Sequence, residues 1–277
     1  MDRVLLKKWW WVGVLACGLV FLGYTWWMGA DGRLHVYFLD IGQGDAILMV
    51  MPSGEQVLVD GGPGSTVVRK LGEVMPFYDK KIEVMVLSHP DSDHLSGLVA
   101  VLKRYEVEKV IFTGIAKRGA LYEEFLSELQ GVEEVVLADA GADFRFGEVK
   151  FDVLYPVEQV VGREFANVND SSVAMMVEYE GRRMLLTGDL EEEGEAGLVA
   201  AYGEELKADI FKAGHHGSRT SSSMELLELV RPKLVVIQCG KDNSFGHPHA
   251  ETLRSYFRVG VEEVRRTDLE GRVELVW

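Results

Sequence analysis

Short runs of aliphatic and β-branched residues, separated by Gly, Asp and Pro, recur along the chain from residue 34 onward. Residues 34–39, 46–51 and 56–59 read as strands. The first two are joined by the glycine turn Asp40-Ile41-Gly42-Gln43-Gly44-Asp45 and the third ends at Asp60-Gly61-Gly62, a pattern that predicts an antiparallel meander. A helix over 65–74, a strand over 82–87, a helix over 94–105, a strand at 110–112, an amphipathic helix at 121–129 and a strand at 132–137 follow. This alternation of strand and helix is that of an α/β half-domain. Residues 149–155 form another strand, and 156–170 read as a long polar loop of the kind that carries function.

The second half repeats the plan. A hairpin over 172–179 and 183–186 turns at Glu180-Gly181 and is followed by a helix over 192–201. Strands at 209–212 and 233–238, a helix ending near 258, and short strands at 264–266 and 273–277 complete the chain. Two meander-then-α/β halves predict a four-layer αββα sandwich with its loops gathered at one edge. No low-complexity tract or linker interrupts residues 31–277, which read as one domain.

The first 30 residues follow a different pattern. Residues 9–28 carry no charge, a length of helix that matches a bilayer core of about 30 Å at about 1.5 Å per residue. Trp9, Trp10 and Trp11 at one end and Trp26 and Trp27 at the other resemble interfacial belts. Arg3, Lys7 and Lys8 before this stretch orient the N-terminus toward the cytoplasm and the domain outward. The expectation is a transmembrane anchor over residues 1–30, with a signal peptide ending near Ala30 as the alternative, in which case the domain is secreted.

Charge narrows the partners. The chain has a formal net charge of −15, and beyond residue 30 there are 43 acidic against 26 basic residues. Such a surface disfavours a long nucleic-acid duplex and leaves room for a small or local anionic footprint. The glycine turn at 40–45 lacks the Gly-Lys-Ser/Thr end of a Walker loop. Only Cys17 and Cys239 are present, so a cysteine-based zinc framework is excluded and any metal must be held by His and carboxylates.

Those residues cluster at strand ends. Ser88-His89-Pro90-Asp91-Ser92-Asp93-His94 places two imidazoles and two carboxylates on one strand-to-helix turn, a donor set for zinc, iron or manganese. Asp189, His215, His216, His247 and His249 each follow another apolar run. Asp189, after Gly188, is the natural bridge between two ions, because glycine lets the backbone approach closely. Adjacent imidazoles on an extended backbone face opposite ways, so His215 and His216 read as one ligand and one substrate contact. His247 is the better ligand of the last pair, and His249 begins a helix or supports a ligand from behind. Lys212, Arg219 and Lys241 offer charge to a phosphate. Residues 218–223, starting at Ser218, read either as a plain helix cap or as backbone N–H groups for an anion.

Taken in order, His-x-Asp-x-Asp-His at 89–94, Thr-Gly-Asp at 187–189, His-His-Gly-Ser at 215–218 and Gly-His-Pro-His at 246–249 resemble the metallo-β-lactamase-fold hydrolases. Together with Leu39-Asp40-Ile41-Gly42-Gln43-Gly44-Asp45-Ala46 and Val59-Asp60-Gly61-Gly62, they are most similar to the hydrolase-like domain of the competence protein ComEC. The resemblance covers nearly all of residues 33–277 and implies the same αββα fold. It implies one metal at His89 and Asp91, a second at Asp93 and His94, Asp189 bridging, His247 as the last histidine ligand and His215 lining the site. The superfamily's commoner pattern has a His where Asp91 stands, and a further His where this chain has Asn169 and Asp170. Both changes replace nitrogen by oxygen and favour manganese, or a mixed pair, over zinc alone. The membrane channel domains of that family are absent from this sequence, so a role in moving DNA across a membrane does not carry over.

The expected activity is metal-assisted hydrolysis by two divalent ions, zinc or manganese, with a metal-activated hydroxide as nucleophile. Asp93, Asp189 and His216 are the candidate catalytic residues. The first substrate class is a phosphodiester, including single-stranded DNA or a smaller nucleotide. A hydrolase of another ester or amide class is the nearest alternative. The rival from a different class is a non-catalytic extracellular module that keeps its metal for stability, motivated by Asn169 and Asp170 in place of a ligand.

Overall fold

Most strands of the chain are buried on both faces, which explains why they read as continuous apolar runs rather than strict alternations. The computed structural model describes residues 3–27 and 31–277. After helix α1 (Arg3–Trp27), the meander β1 (His35–Phe38), β2 (Ile47–Val50) and β3 (Gln56–Val59) leads through α2 (Thr66–Val74) to β4 (Lys81–Val86). Then come α3 (Ser92–Leu102), β5 (Glu106–Phe112), α4 (Ala120–Glu128) and β6 (Glu134–Leu137). The second half runs β7 (Phe144–Phe146), β8 (Val149–Tyr155), β9 (Ala174–Tyr179), β10 (Arg182–Leu186), α5 (Glu192–Tyr202) and β11 (Ile210–Lys212). It ends with α6 (Met224–Val230), β12 (Leu234–Ile237), α7 (Ala250–Arg258), β13 (Glu263–Arg266), α8 (Thr267–Glu270) and β14 (Val273–Val276).

The strands form two seven-stranded sheets, ordered β14-β1-β2-β3-β4-β5-β6 and β13-β12-β11-β10-β9-β8-β7. Period-two side chains sort into layers. Val36, Phe38, Met49 and Val86 of the first sheet meet Phe151, Met175, Val177 and Met184 of the second in a central core. Leu48, Leu58 and Met85 face the other way, against Leu71, Leu95, Leu98 and Phe125 of α2, α3 and α4. Met176, Leu185 and Phe211 likewise meet Leu198, Leu227 and Tyr256 of α5, α6 and α7. Three apolar layers between four structural ones make the expected αββα sandwich.

Topology fixes where chemistry is possible. β3, β4, β5 and β6 are parallel, as are β10, β11, β12 and β13. Their carboxyl ends therefore bring the turns after β3, β4, β10, β11 and β12 to one edge, the usual place for a site in an α/β sheet. Glycine enforces the closest approach there. A Cβ on Gly97 in α3 would overlap the carbonyl oxygen of Gly61, so α3 lies directly on the turn after β3. Gly61 N–H donates to His94 O at 2.8 Å and Gly97 N–H to Gly62 O at 2.9 Å. The two sheets are joined at the same edge by Gln238, whose amide donates to Leu39 O at 3.1 Å and Ala46 O at 2.9 Å.

The N-terminal stretch lies outside the two sheets. It is a helix, but no helix among the described residues is long and apolar enough to cross a membrane. The described residues therefore lend the expected transmembrane anchor no support. Phe21 of this helix packs near the rings of Phe77 and Tyr78, at 6.4 and 6.3 Å between centroids. Met28 and Ala30, the exit of the expected anchor and of the alternative signal peptide, lie outside the described residues.

Candidate metal centre

The turn after β4 supplies the first imidazoles. His89 and His94 are both buried, with ring centroids 4.2 Å apart. Each is held through Nδ1: His89 faces Ser88 Oγ at 3.0 Å, and His94 faces Asp60 Oδ2 at 2.8 Å. That leaves Nε2 of each to point inward. The turn after β11 adds His216, whose Nδ1 faces the carbonyl of Gln238 at 3.0 Å. Its ring lies 5.3 Å from that of His94. Three imidazoles thus share one orientation rule, with Nδ1 occupied from behind and Nε2 turned inward, which is how metal-binding histidines are held.

Asp189, after β10, sits among them with 2% exposure. Its Oδ2 is 3.2 Å from both His94 Nε2 and His216 Nε2. Asp93 Oδ2 approaches His216 Nε2 at 3.4 Å from the mouth side. The buried atoms His89 Nε2, His216 Nε2 and Asp189 Oδ1 make no hydrogen bond at all. Such groups cost free energy unless something pairs with them, and a cation is the natural partner for an inward lone pair beside a carboxylate. The donor atoms form overlapping sets: His89, His94 and Asp189; Asp93, His94 and His216; Asp45, Asp189 and His216; and Asp45, Asp60 and His94. Within each set all donors lie within 4.8 Å of one another, so the residues fit divalent ions.

The electrostatics agree. Burial would raise Asp189, but His216 and His94 hold it well below the usual carboxylate range. Burial pulls His94 down, yet Asp189 and Asp60 lift it well above the ordinary imidazole value, and Asp189 and Asp45 do the same for His216. His89 and His247 move the other way, to about 4, through burial first and then repulsion by neighbouring imidazoles. The cavity therefore pairs concentrated negative charge with imidazolium when no other cation is present.

Other predicted residues take different places. Asp91 is half-exposed at the edge, paired with Lys117, its Oδ2 3.8 Å from His89 Nε2. His215 is not in the inward group: its Nδ1 lies 3.0 Å from Glu191 Oε1 and its Nε2 4.0 Å from Asp189 Oδ2. The expectation of opposed neighbours assumes extended backbone. Both His215 (φ 44°) and His216 (φ 55°) are left-handed instead, which turns His216 inward. His247 stands at the mouth, its ring 5.5 Å from that of His215 and 6.2 Å from that of His216, with Gln43 Nε2 3.4 Å from its Nδ1. His249 precedes α7 and its Nδ1 accepts the Arg219 backbone N–H at 3.0 Å.

The basic and hydroxyl residues divide. Arg219 and Lys241 are exposed on the rim, whereas Lys212 is 1% exposed and forms a buried ion pair with Asp45. It is a counter-charge inside the site, not a group offered to a phosphate. Ser218 bonds Thr220 Oγ1 at 2.9 Å, and the run 218–223 does not open a long helix: α6 starts at Met224 and has seven residues, capped by Ser223. Asn169 donates to Glu191 Oε1 at 2.9 Å, and Asp170 Oδ1 accepts the N–H groups of Glu191 and Gly194, capping the start of α5. Neither takes the place of the missing histidine.

Asp45 and Asp60 belong to the site and appear in the sequence only as parts of turn motifs. Their signal is that of Asp189: a carboxylate beside glycine at the end of an apolar run. Asp60 Oδ1 accepts Ser88 N–H at 2.8 Å and its Oδ2 accepts Ser88 O–H at 2.6 Å as well as His94. Loss of such a support costs tens of times in metal affinity. Asp60→Ala is expected to weaken metal binding about 10–100-fold, read by competition with a chromogenic chelator; unchanged affinity would show that His94 needs no support.

The comparison with known sequences now decides the family. The family model of the metallo-beta-lactamase superfamily matches residues 39–241. The chain belongs to the metallo-beta-lactamase superfamily. It is 29% identical over 284 residues to ComE operon protein 3 of Bacillus subtilis (strain 168), covering 95% of this chain and 35% of that protein. It is 30% identical over 268 residues to competence protein ComA of Neisseria gonorrhoeae, again covering 95% of this chain and 35% of that protein. The chain thus spans about a third of the length of the curated relatives it matches. The likeness to competence proteins expected from the motifs is borne out. Among solved structures, CmlA, a diiron beta-hydroxylase from Streptomyces venezuelae, superposes with a TM-score of 0.57 at 15% identity, covering 89% of this chain and 55% of that one. That likeness concerns the metallo-beta-lactamase fold alone, and the same fold hosts different chemistries.

Proposed function

We propose that the chain is a divalent-metal-dependent hydrolase of phosphodiesters, acting on single-stranded DNA or a smaller nucleotide. The observation that carries this reading is the convergence of three Nε2 atoms on Asp189 and Asp93, with His89 Nε2, His216 Nε2 and Asp189 Oδ1 buried and unbonded. His89, His94, His216, Asp93 and Asp189 would hold the ions, with Asp45 beside them and Asp91 and His247 at the edge. Bound there, divalent ions supply Lewis acidity and a nucleophilic hydroxide at neutral pH. The oxygen-rich donor set favours manganese, or a manganese–zinc pair. Asp93 is held ionised: burial raises it, but the neighbouring imidazoles of His216 and His94 prevail, so it would face the ions as an anion. Arg219 and Lys241, both exposed, would meet the phosphate, and the acidic remainder of the surface favours a short strand over a long duplex. Action outside the cytoplasmic membrane, supported by Arg3, Lys7 and Lys8 ahead of the apolar helix, is part of the same proposal.

The test is a substrate panel on the full chain: bis-p-nitrophenyl phosphate, single-stranded DNA, a β-lactam and a thioester, each with manganese or zinc. Turnover of the phosphodiesters, abolished by EDTA and restored by added metal, is expected. Turnover confined to the lactam or thioester would move the enzyme to another hydrolase class. Full metal occupancy with no turnover would instead support a non-catalytic module, the reading that Asn169 and Asp170 favour.

A further inference from the structure

The loop between β12 and α7 carries an aromatic ring that neither the core nor the metal centre uses. Phe245 is 62% exposed, yet its ring lies 5.7 Å from the ring of His247, inclined by 25°. His247 in turn is 4.9 Å from the ring of His249, whose Nδ1 takes the Arg219 backbone N–H. The rim of the site is therefore a row of aromatic rings tied to the backbone of Arg219. Phe257 on α7, also exposed, has no such ring partner among the described residues.

The loop that carries the ring is closed by hydrogen bonds. Asn243 closes its loop with three hydrogen bonds: its Nδ2 donates to Gly240 O at 2.9 Å and to His247 O at 2.6 Å, and its Oδ1 accepts His247 N–H at 2.9 Å. Gln43 Oε1 accepts Gly240 N–H at 3.1 Å, tying the loop to the glycine turn beside Asp45. A phenyl group fixed at the mouth of a hydrolytic site, with one face on an imidazole and much of its surface in water, is arranged for a flat apolar partner. A nucleobase is such a partner, and every base offers the same π-face.

We infer that Phe245 is a base-stacking platform, which makes a nucleotide unit next to the scissile phosphate the preferred substrate feature. This rests on the phosphodiesterase reading above and deepens it: the phosphate is met by Arg219 and Lys241, and the adjoining base by Phe245. Phe245 positions substrate and touches no reacting atom.

The experiment uses the full chain with bound manganese and two short single strands, one of thymidine nucleotides and one of abasic deoxyribose phosphates of equal length. Phe245→Ala is expected to raise KM on the thymidine strand by roughly ten- to a hundredfold, with kcat little changed, and to leave the abasic strand nearly unaffected. Phe245→Trp is expected to retain wild-type behaviour. Equal effects of Phe245→Ala on both strands, or none on either, would overturn the assignment. A binding arm separates this inference from the reading beneath it: a 2-aminopurine strand is titrated with each protein and base stacking is read as fluorescence quenching. Quenching that depends on Phe245, without turnover of any phosphodiester, would retain the platform and sink the hydrolase. Absence of quenching with wild-type protein, or quenching that persists in Phe245→Ala, would sink the platform.

Discussion

Asp189→Asn is expected to lower turnover of phosphodiesters by about a thousandfold or more, on the order of 4 kcal/mol of transition-state stabilisation, and to reduce the bound metal. The substitution keeps the shape of the side chain and removes the charge. Asp189 is the one carboxylate with an oxygen 3.2 Å from both His94 Nε2 and His216 Nε2 while its other oxygen makes no hydrogen bond. It belongs to two of the four overlapping donor sets, and each of those two loses a ligand when it becomes an amide. An amide also presents an N–H₂ group to imidazole nitrogens that would otherwise face a cation. Metal content by mass spectrometry and steady-state kinetics on the same preparation decide the matter. Full metal occupancy with near-wild-type kcat in Asp189→Asn would remove Asp189 from the centre and with it the proposed chemistry.

The layers and most of the ligands are legible in the sequence, for a physical reason. Strands buried on both faces leave continuous apolar runs, and the turns after parallel strands must lie at one edge. Polar residues just beyond such runs, as at His89, His94, Asp189 and His216, can therefore be grouped from the order of residues alone. Two things are not legible. The pairing of β14 with β1 joins the two ends of the domain and depends on contacts more than 200 residues apart, which leave no local pattern. The inward turn of His216 depends on two consecutive left-handed residues, a conformation that non-glycine residues seldom adopt and that composition does not announce.

Lys212 is the residue whose role the structure changes most, and its substitution separates two kinds of effect. A lysine at the end of a strand, next to the site's histidines, looks like a phosphate contact from the sequence. Buried as it is, it meets Asp45 as an ion pair, lies 3.4 Å from Gly188 O and 3.8 Å from Asp189 Oδ1, and sees almost no solvent. Burial alone would drive its pKa down, but Asp45 and Asp189 outweigh it and keep the ammonium charged. It stabilises a cavity that would otherwise crowd Asp45, Asp60 and Asp189 together. Removing one partner of a buried pair leaves the other uncompensated, at a cost of about 3–5 kcal/mol. Lys212→Met is therefore expected to lose about that much stability in urea unfolding with EDTA present, and Asp45→Asn in the same chain is expected to recover most of it, because the stranded charge is then gone. KM of whatever Lys212→Met protein folds is expected to stay near the wild-type value, whereas a phosphate contact would raise it. A large rise in KM with unchanged stability would restore Lys212 to the substrate and return the counter-charge role to the histidines alone.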